Sequence, residues 1–148
     1  MELRVVALYP DQMNIYADRG NILFLKRRCE WRGIGFSYAA AGPSQSLDPA
    51  SHDLFYVGGG QDRDQRIVAE DMVASKRAGL AEAVEDGAVV LAVCGGYQLL
   101  GHSYELADER IPGLGLADLE TVRPPGPRLI GNIEIGRASC RERVYSNV

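Results

Sequence analysis

Ala88-Val89-Val90-Leu91-Ala92-Val93 leads without interruption into Cys94-Gly95-Gly96-Tyr97-Gln98. The first six residues are all apolar, which reads as a strand buried on both faces, with helices packed on either side of its sheet. A helix is expected to begin at Tyr97 and run to Tyr104. Cys94 therefore stands at the carboxyl end of a strand, where a sharp strand-to-helix turn exposes a side chain above the sheet and needs small neighbours. Gly95 and Gly96 are those neighbours.

The same alternation recurs upstream. Leu3–Leu8 reads as a short buried strand, ended by Tyr9-Pro10-Asp11 because Pro10 cannot continue a ladder. Asn21–Arg32 has helical periodicity, with Ile22, Leu25 and Cys29 on one face and Gly33 as its stop. Gly35–Ala40 is a second strand and Ala41–Ser51 a loop. Leu54–Val57 is a third strand, cut by Gly58-Gly59-Gly60. Arg66–Ala74 and Arg77–Asp86 are helical, with a break near Ser75 and a stop at Gly87. Leu119–Val122 and Leu129–Ile133 are weaker strands around Pro124-Pro125-Gly126-Pro127. Strand and helix alternating at this spacing predict an α/β fold with a doubly wound, mainly parallel sheet.

The chain has 148 residues, the size of one domain, with 46% hydrophobic and 24% charged residues, which argues against wholesale disorder. A net charge of −4 gives no electrostatic case for nucleic acid or anionic lipid as the main partner. No apolar run approaches the roughly 18–20 residues of a membrane span, and Met1-Glu2-Leu3-Arg4 lacks the pattern of a signal peptide. Cys29, Cys94 and Cys140 are too few and scattered for a disulfide framework, so a reducing, cytoplasmic setting is expected. His52 and His102 have no neighbouring cysteine or histidine, so no metal site is expected. Asp11, Asp18, Asp62 and Asp64 lie on Gly- and Arg-rich loops and read as caps, loop anchors or partner contacts.

Ligands of doubly wound sheets bind beyond the carboxyl ends of the strands. Cys94 and the Gly58–Gly60 loop both fall there. A lone cysteine after an apolar strand is ordinarily a buried small hydrophobe. The two glycines that follow, Gln98 and the second glycine loop favour a nucleophile instead. A helix N-terminus favours the thiolate form. The N–H of Gly95 points where an oxyanion forms, and the triple glycine supplies a second donor without side-chain obstruction. The chemistry that results is acyl transfer through a thioester. A phosphate cradle is the rival for the glycine loop, but neither G-x-x-x-x-G-K-[ST] nor G-x-G-x-x-G occurs.

Ala92-Val93-Cys94-Gly95-Gly96-Tyr97-Gln98 resembles the C-x-G-x-Q elbow of class I, triad-type glutamine amidotransferases. A larger set sharpens the resemblance: Leu8-Tyr9-Pro10-Asp11, Met13-Asn14-Ile15-Tyr16, Asp18-Arg19-Gly20-Asn21, Gly58-Gly59-Gly60-Gln61-Asp62-Arg63-Asp64-Gln65, and Cys94 through Gly101. Together they are similar to the glutaminase, GatD-like branch of lipid II isoglutaminyl synthases, which is related to the amidotransferase domains of cobyric acid synthases. The resemblance implies a flavodoxin-like fold and hydrolysis of L-glutamine to glutamate and ammonia. It further implies a heterodimer with a Mur-ligase-like (MurT-like) synthetase. That partner uses ATP to amidate the D-glutamate of lipid II in peptidoglycan synthesis, so this chain needs no cofactor of its own. Carried over by position, Cys94 is the nucleophile, Gly60 and Gly95 are oxyanion donors with Gly59 in support, and Gln98 and Arg128 bind substrate.

The family's general-base histidine lies beyond residue 148. His102, eight residues beyond Cys94 along the expected helix, and His52, at the opposite edge of the sheet, are both expected to lie out of reach of Cys94. Ile135–Val144 has no apolar period and resembles the in-frame translation of a widely used DNA-sequencing adapter, to which Glu134 belongs equally well. The expectation is thus residues 1–133 as the N-terminal part of an amidotransferase domain, truncated at the C-terminus, and 134–148 as a non-native tail. Three rival readings stand. One is a corrin amidotransferase of the cobyric acid synthase type, normally fused to an ATP-binding domain for which nothing before Met1 leaves room. Another is a catalytically silent partner-binding scaffold. The third is a cysteine hydrolase of the related flavodoxin-like type, which carries histidine where this chain has Gly95.

Overall fold

The computed structural model describes residues 1–15, 18–106, 109–123 and 125–126. Four parallel strands form the main sheet in the order β2-β1-β3-β4: β1 (Glu2–Leu8), β2 (Gly35–Ala41), β3 (Leu54–Val57) and β4 (Val89–Ala92). Helix α1 (Asp18–Glu30) connects β1 to β2. Helices α2 (Asp62–Asp71) and α3 (Arg77–Glu85) connect β3 to β4. The first crossover steps one way along the sheet and the second steps the other, so right-handed connections place the helices on opposite faces. This is the doubly wound arrangement, and the order 2-1-3-4 is that of flavodoxin-like sheets.

The helix stops follow from backbone chemistry. Gly33 (φ +64°) and Gly87 (φ +95°) adopt the left-handed conformation after α1 and α3. Behind them Ile34 N–H donates to the Cys29 carbonyl and Ala88 N–H to that of Ala83, the wide turn that satisfies the last free carbonyls of a helix. The break expected near Ser75 is a π turn, Met72–Lys76, that joins α2 to α3. The core lies between β1, β3 and the α2–α3 unit, with Val6, Leu8, Phe55, Val57, Val68, Met72 and Leu80 sealed from solvent. Each such side chain contributes about 1.5–3 kcal/mol of apolar burial.

Three expectations are corrected. The run 88–93 is a four-residue strand whose burial alternates, with Val89 and Leu91 exposed, rather than a strand covered on both faces. β4 is the edge of the main sheet among the described residues, so only alternate side chains meet the core. The helix expected at 97–104 is α4 (Gly95–Leu100), which starts earlier and stops at Gly101. A Cβ on Gly101 would lie 2.5 Å from the Leu119 carbonyl oxygen, so the chain turns away there through close backbone contact. It continues into β5 (Ser103–Leu106), which pairs antiparallel with β6 (Glu109–Pro112) and parallel with β7 (Glu120–Thr121). The strand expected at 119–122 is reduced to β7, while Leu129–Ile133 lies outside the described residues. No helix among the described residues is long and apolar enough to cross a membrane.

Candidate active site

Cys94 links β4 to α4 with φ +52° and ψ −116°. A non-glycine residue held there stores roughly 1–3 kcal/mol of backbone strain, which persists only where the surroundings impose it. They do so through β3. Val93 N–H donates to the Val57 carbonyl (2.9 Å), and Gly96 N–H donates to the carbonyls of Gly58 (3.1 Å) and Val93 (2.9 Å). One turn later Gln98 N–H closes on the Cys94 carbonyl at 3.2 Å. The elbow is thus stitched to the end of β3 on one side and to its own helix on the other. Cys94 is half-buried and unpaired, whereas Cys29 is buried on α1.

The elbow and the glycine loop meet backbone to backbone. A Cβ on Gly96 would sit 2.5 Å from the Val57 oxygen and 2.7 Å from that of Gly58. A Cβ on Gly95 would be driven into the side-chain amide of Gln65. Gly58, Gly59 and Gly60 are all buried, and each of their carbonyls is held. Gly58 accepts from Gly96 N–H, Gly59 from Ile15 N–H (3.2 Å), and Gly60 from Gln65 Nε2 (3.2 Å). In a trans peptide the C=O and the following N–H point in opposite directions. Fixing the three carbonyls therefore fixes the N–H groups of Gly59, Gly60 and Gln61. The Gly59 N–H points away from the elbow's Gly96, and the Gly60 N–H points away from Ile15.

The loop 9–15 forms the floor. Tyr9, at φ +52°, accepts from the N–H groups of Gln12 and Met13. Met13 packs against Gly60 with its sulfur and against Gly58 with its carbonyl. Tyr9 is itself anchored: its hydroxyl donates to Asp71 (2.6 Å), and Lys76, wholly buried, donates to the same oxygen at 3.0 Å. The Lys76 ammonium also lies 4.6 Å from the centre of the Tyr9 ring. Burial raises the Asp71 carboxyl, but the Tyr9 hydroxyl, Lys76 and the Ser44 N–H outweigh it and hold the group at about 2. Burial and the Asp71 bond push the Tyr9 phenol well above its ordinary range. On the other side Asp18, buried against Gly58, accepts from the Tyr56 hydroxyl (2.7 Å), which accepts from Asn21 (2.8 Å). Burial, then the Asp18 bond, push the Tyr56 phenol up to about 12. An open cleft of about 240 Å³ with Asp18, Arg19, Tyr38 and Tyr56 in its wall lies beside this loop, and Cys94 does not line it.

The structure sets the Cys94 elbow against the glycine loop through Gly96 and Gly58, with the Gln65 amide between Gly95 and Gly60 and Gln98 half-buried one turn beyond Cys94. Arg128 lies outside the described residues. His102 is not on α4: it follows the helix end, and its Nε2 lies 3.1 Å from an oxygen of exposed Asp118. His52 precedes β3, within 2.6 Å of the Ser51 hydroxyl and edge-on to Phe55. Burial, reinforced by Arg4, lowers its pKa. Neither ring is hydrogen-bonded to Cys94. Two of the four aspartates are anchors as expected: Asp18 under Gly58, and Asp11 in an exposed pair with Arg19 at 3.7 Å. Asp62 and Asp64 lie in the first turn of α2, where negative charge suits the helix dipole. The helix starting at α4 has only six residues, so its dipole is a smaller asset to the thiol than a long helix would be.

Gln65 is the residue that sequence reasoning passed over. It lies on the stripe Gln65, Val68, Ala69, Met72, the i, i+3, i+4, i+7 spacing of a buried helix face. An amide at the head of an otherwise apolar stripe was the available signal.

Residues 4–145 match the family described as the CobB/CobQ-like glutamine amidotransferase domain. The chain is 37% identical over 145 residues to "Lipid II isoglutaminyl synthase (glutamine-hydrolyzing) subunit GatD" of Streptococcus pneumoniae, covering 97% of this chain and 55% of that one. It is 36% identical over 135 residues to the protein of the same name from Staphylococcus aureus, covering 90% and 55%. The chain thus spans about half the length of these relatives. A cobyric acid synthase from Methylobacterium nodulans is 35% identical over 105 residues, 64% of this chain and 20% of that one. Among solved structures, PurLQS from Thermotoga maritima superposes with a TM-score of 0.46 at 22% identity, covering 68% and 43% of the two chains. By its match over nearly the whole sequence, the chain belongs to the CobB/CobQ-like glutamine amidotransferase family.

Proposed function

We propose that this chain carries the thiol and oxyanion cradle of a glutaminase subunit in lipid II amidation. Cys94 Sγ attacks the side-chain carboxamide carbon of L-glutamine, and the carbonyl π electrons move to oxygen. The N–H groups of Gly95 and Gly60 stabilise that oxyanion, while the Gly59 N–H, on a peptide whose carbonyl faces the elbow, is left out of the cradle. Collapse of the tetrahedral species expels ammonia, which takes up a proton as it leaves. Water then cleaves the thioester to glutamate and restores the thiol. Gln98 and Arg128 hold the substrate. The base that takes the thiol proton is neither His52 nor His102, since both rings are engaged elsewhere.

Ammonia passes to a Mur-ligase-like synthetase that spends ATP to amidate the D-glutamate carboxyl of lipid II, the two chains forming a cytoplasmic heterodimer. The similarity to the two GatD subunits along most of the chain supports this acceptor. The observation that carries the reading is the strained Cys94 elbow set against a glycine loop whose three carbonyls are all tied back. A glutamine-like chloroketone tests it. Labelling is expected at Cys94, abolished in Cys94→Ala and unaffected in Cys29→Ala. Labelling chiefly at Cys29, or unchanged in Cys94→Ala, would refute it.

A further inference from the structure

We infer that Gln65 is a positioning residue that sets the separation of the two halves of the oxyanion cradle. The inference rests on the proposed glutaminase reading. Gln65 is 5% exposed and sits in the first turn of α2, where its backbone N–H donates to the Gln61 carbonyl at 2.8 Å. Its side chain folds back, so that Nε2 donates to the Gly60 carbonyl at 3.2 Å. The same amide fills the space beside Gly95 where a Cβ would otherwise stand, with Cδ 2.7 Å from that point. One side chain therefore touches both glycines that the proposed reading assigns as oxyanion donors.

The amide can serve in only one orientation. Reversed, its oxygen would meet the Gly60 carbonyl, acceptor against acceptor. With Nε2 inward, the Gly60 carbonyl is occupied and the Gly60–Gln61 peptide cannot turn that oxygen toward the developing negative charge. Because the amide also packs against Gly95, it acts as a spacer between loop and elbow. Gly58 and Gly59 already have backbone donors on their carbonyls, whereas Gly60 is held by a side chain. The Gly60–Gln61 plane is thus the one of the three that a side-chain substitution can release, while the Gly60 N–H stays on the plane held by Ile15 and is reached by Gln65 only through its spacing of the loop from Gly95.

The test separates cradle from thiol in the full 148-residue chain. A glutamine-like chloroketone adds through its carbonyl and profits from the oxyanion donors, while iodoacetamide alkylates sulfur by direct displacement and does not. Gln65→Met keeps length and volume but removes the donor. Chloroketone labelling of Cys94 is expected to slow at least tenfold, with iodoacetamide labelling within twofold of the parent and an unchanged circular dichroism spectrum. An unchanged chloroketone rate overturns the inference, and so does an equal loss with both reagents, which marks a residue that merely supports the fold. Should Gln65→Met not fold, Gln65→Leu gives the same comparison. Cys94→Ala separates the two claims: chloroketone labelling that survives it defeats the glutaminase reading, whereas labelling lost in Cys94→Ala but undiminished in Gln65→Met defeats the Gln65 inference alone.

Discussion

Adjacent glycines at the elbow should fail in opposite ways. In Gly96→Ala the new methyl meets the Val57 and Gly58 carbonyl oxygens at 2.5 and 2.7 Å, nearly 1 Å inside ordinary contact. Both are backbone atoms at the end of β3, so relief requires α4 to lift off the sheet. Overpacking of this kind costs about 1–3 kcal/mol. The Gly96 N–H bond to Gly58 weakens as well, adding about 1 kcal/mol. Replacing a helical glycine returns up to about 1 kcal/mol. The net loss is about 1–3 kcal/mol, which for a domain of this size lowers the melting temperature by roughly 3–10 °C. In Gly95→Ala the obstacle is the end of the Gln65 side chain. It can swing aside for one hydrogen bond, about 1 kcal/mol, which the helical gain largely offsets. Gly95→Ala should melt within about 3 °C of the parent and yet lose chloroketone reactivity at Cys94. Thermal melts by circular dichroism, paired with labelling rates, decide the matter. Equal melting temperatures for the two variants, or a Gly95→Ala protein with full chloroketone reactivity, would refute the reasoning.

Four further outcomes follow from the interior and the histidines. Lys76→Met leaves Asp71 without the ammonium it meets at 3.0 Å and should cost about 3 kcal/mol in urea denaturation, much of it recovered in the Lys76→Met, Asp71→Asn double variant. Asp71 titrates at about 2 folded against 3.8 unperturbed, so its contribution is complete above pH 3.8 and fades as pH falls toward 2. Allowing for solvent screening this amounts to about 1–2 kcal/mol, and Asp71→Asn should flatten the stability profile in that window. Tyr104→Phe should cost nothing or stabilise by up to about 1 kcal/mol in a thermal melt, because its buried hydroxyl has no hydrogen-bond partner among the described residues. His52→Ala and His102→Ala should each leave iodoacetamide labelling of Cys94 within twofold, as neither ring is bonded to the thiol.

Much of this fold was legible because its signals are local. Gly33 and Gly87 mark helix ends wherever they sit, and the β3 boundary at the triple glycine needs no tertiary knowledge. What was not legible depends on partners distant in sequence. Nothing in Ala88–Val93 says that it forms the edge of the main sheet among the described residues, since that is a matter of which strand lies beyond it. Gly101 stops α4 because Leu119 occupies the space beside it, eighteen residues later, and the same event turns the expected helix residues 103–104 into β5. The sharp turn at Cys94 was legible from its two glycines. Gln65 was not, because its role lies in what its amide bridges: Gly60, five residues back, and Gly95, thirty ahead.

On the proposed glutaminase reading, that bridge explains why the site carries so few side chains. An oxyanion cradle made of backbone N–H groups cannot be tuned by changing donor identity, only by holding peptide planes. Here each plane is held from a different element: Gly58 from α4, Gly59 from the loop after β1, and Gly60 from α2. The loop after β1 is in turn fixed through Tyr9 to Asp71 and Lys76 at the π turn between α2 and α3. Helix α4, helix α2 and the loop after β1 thus each bear on one glycine of the loop. Such a cradle loses its geometry plane by plane rather than all at once. Substitutions at Gln65 and Gly96 therefore belong to different classes, the first releasing one plane within an intact fold, the second separating the elbow from the sheet that strains it.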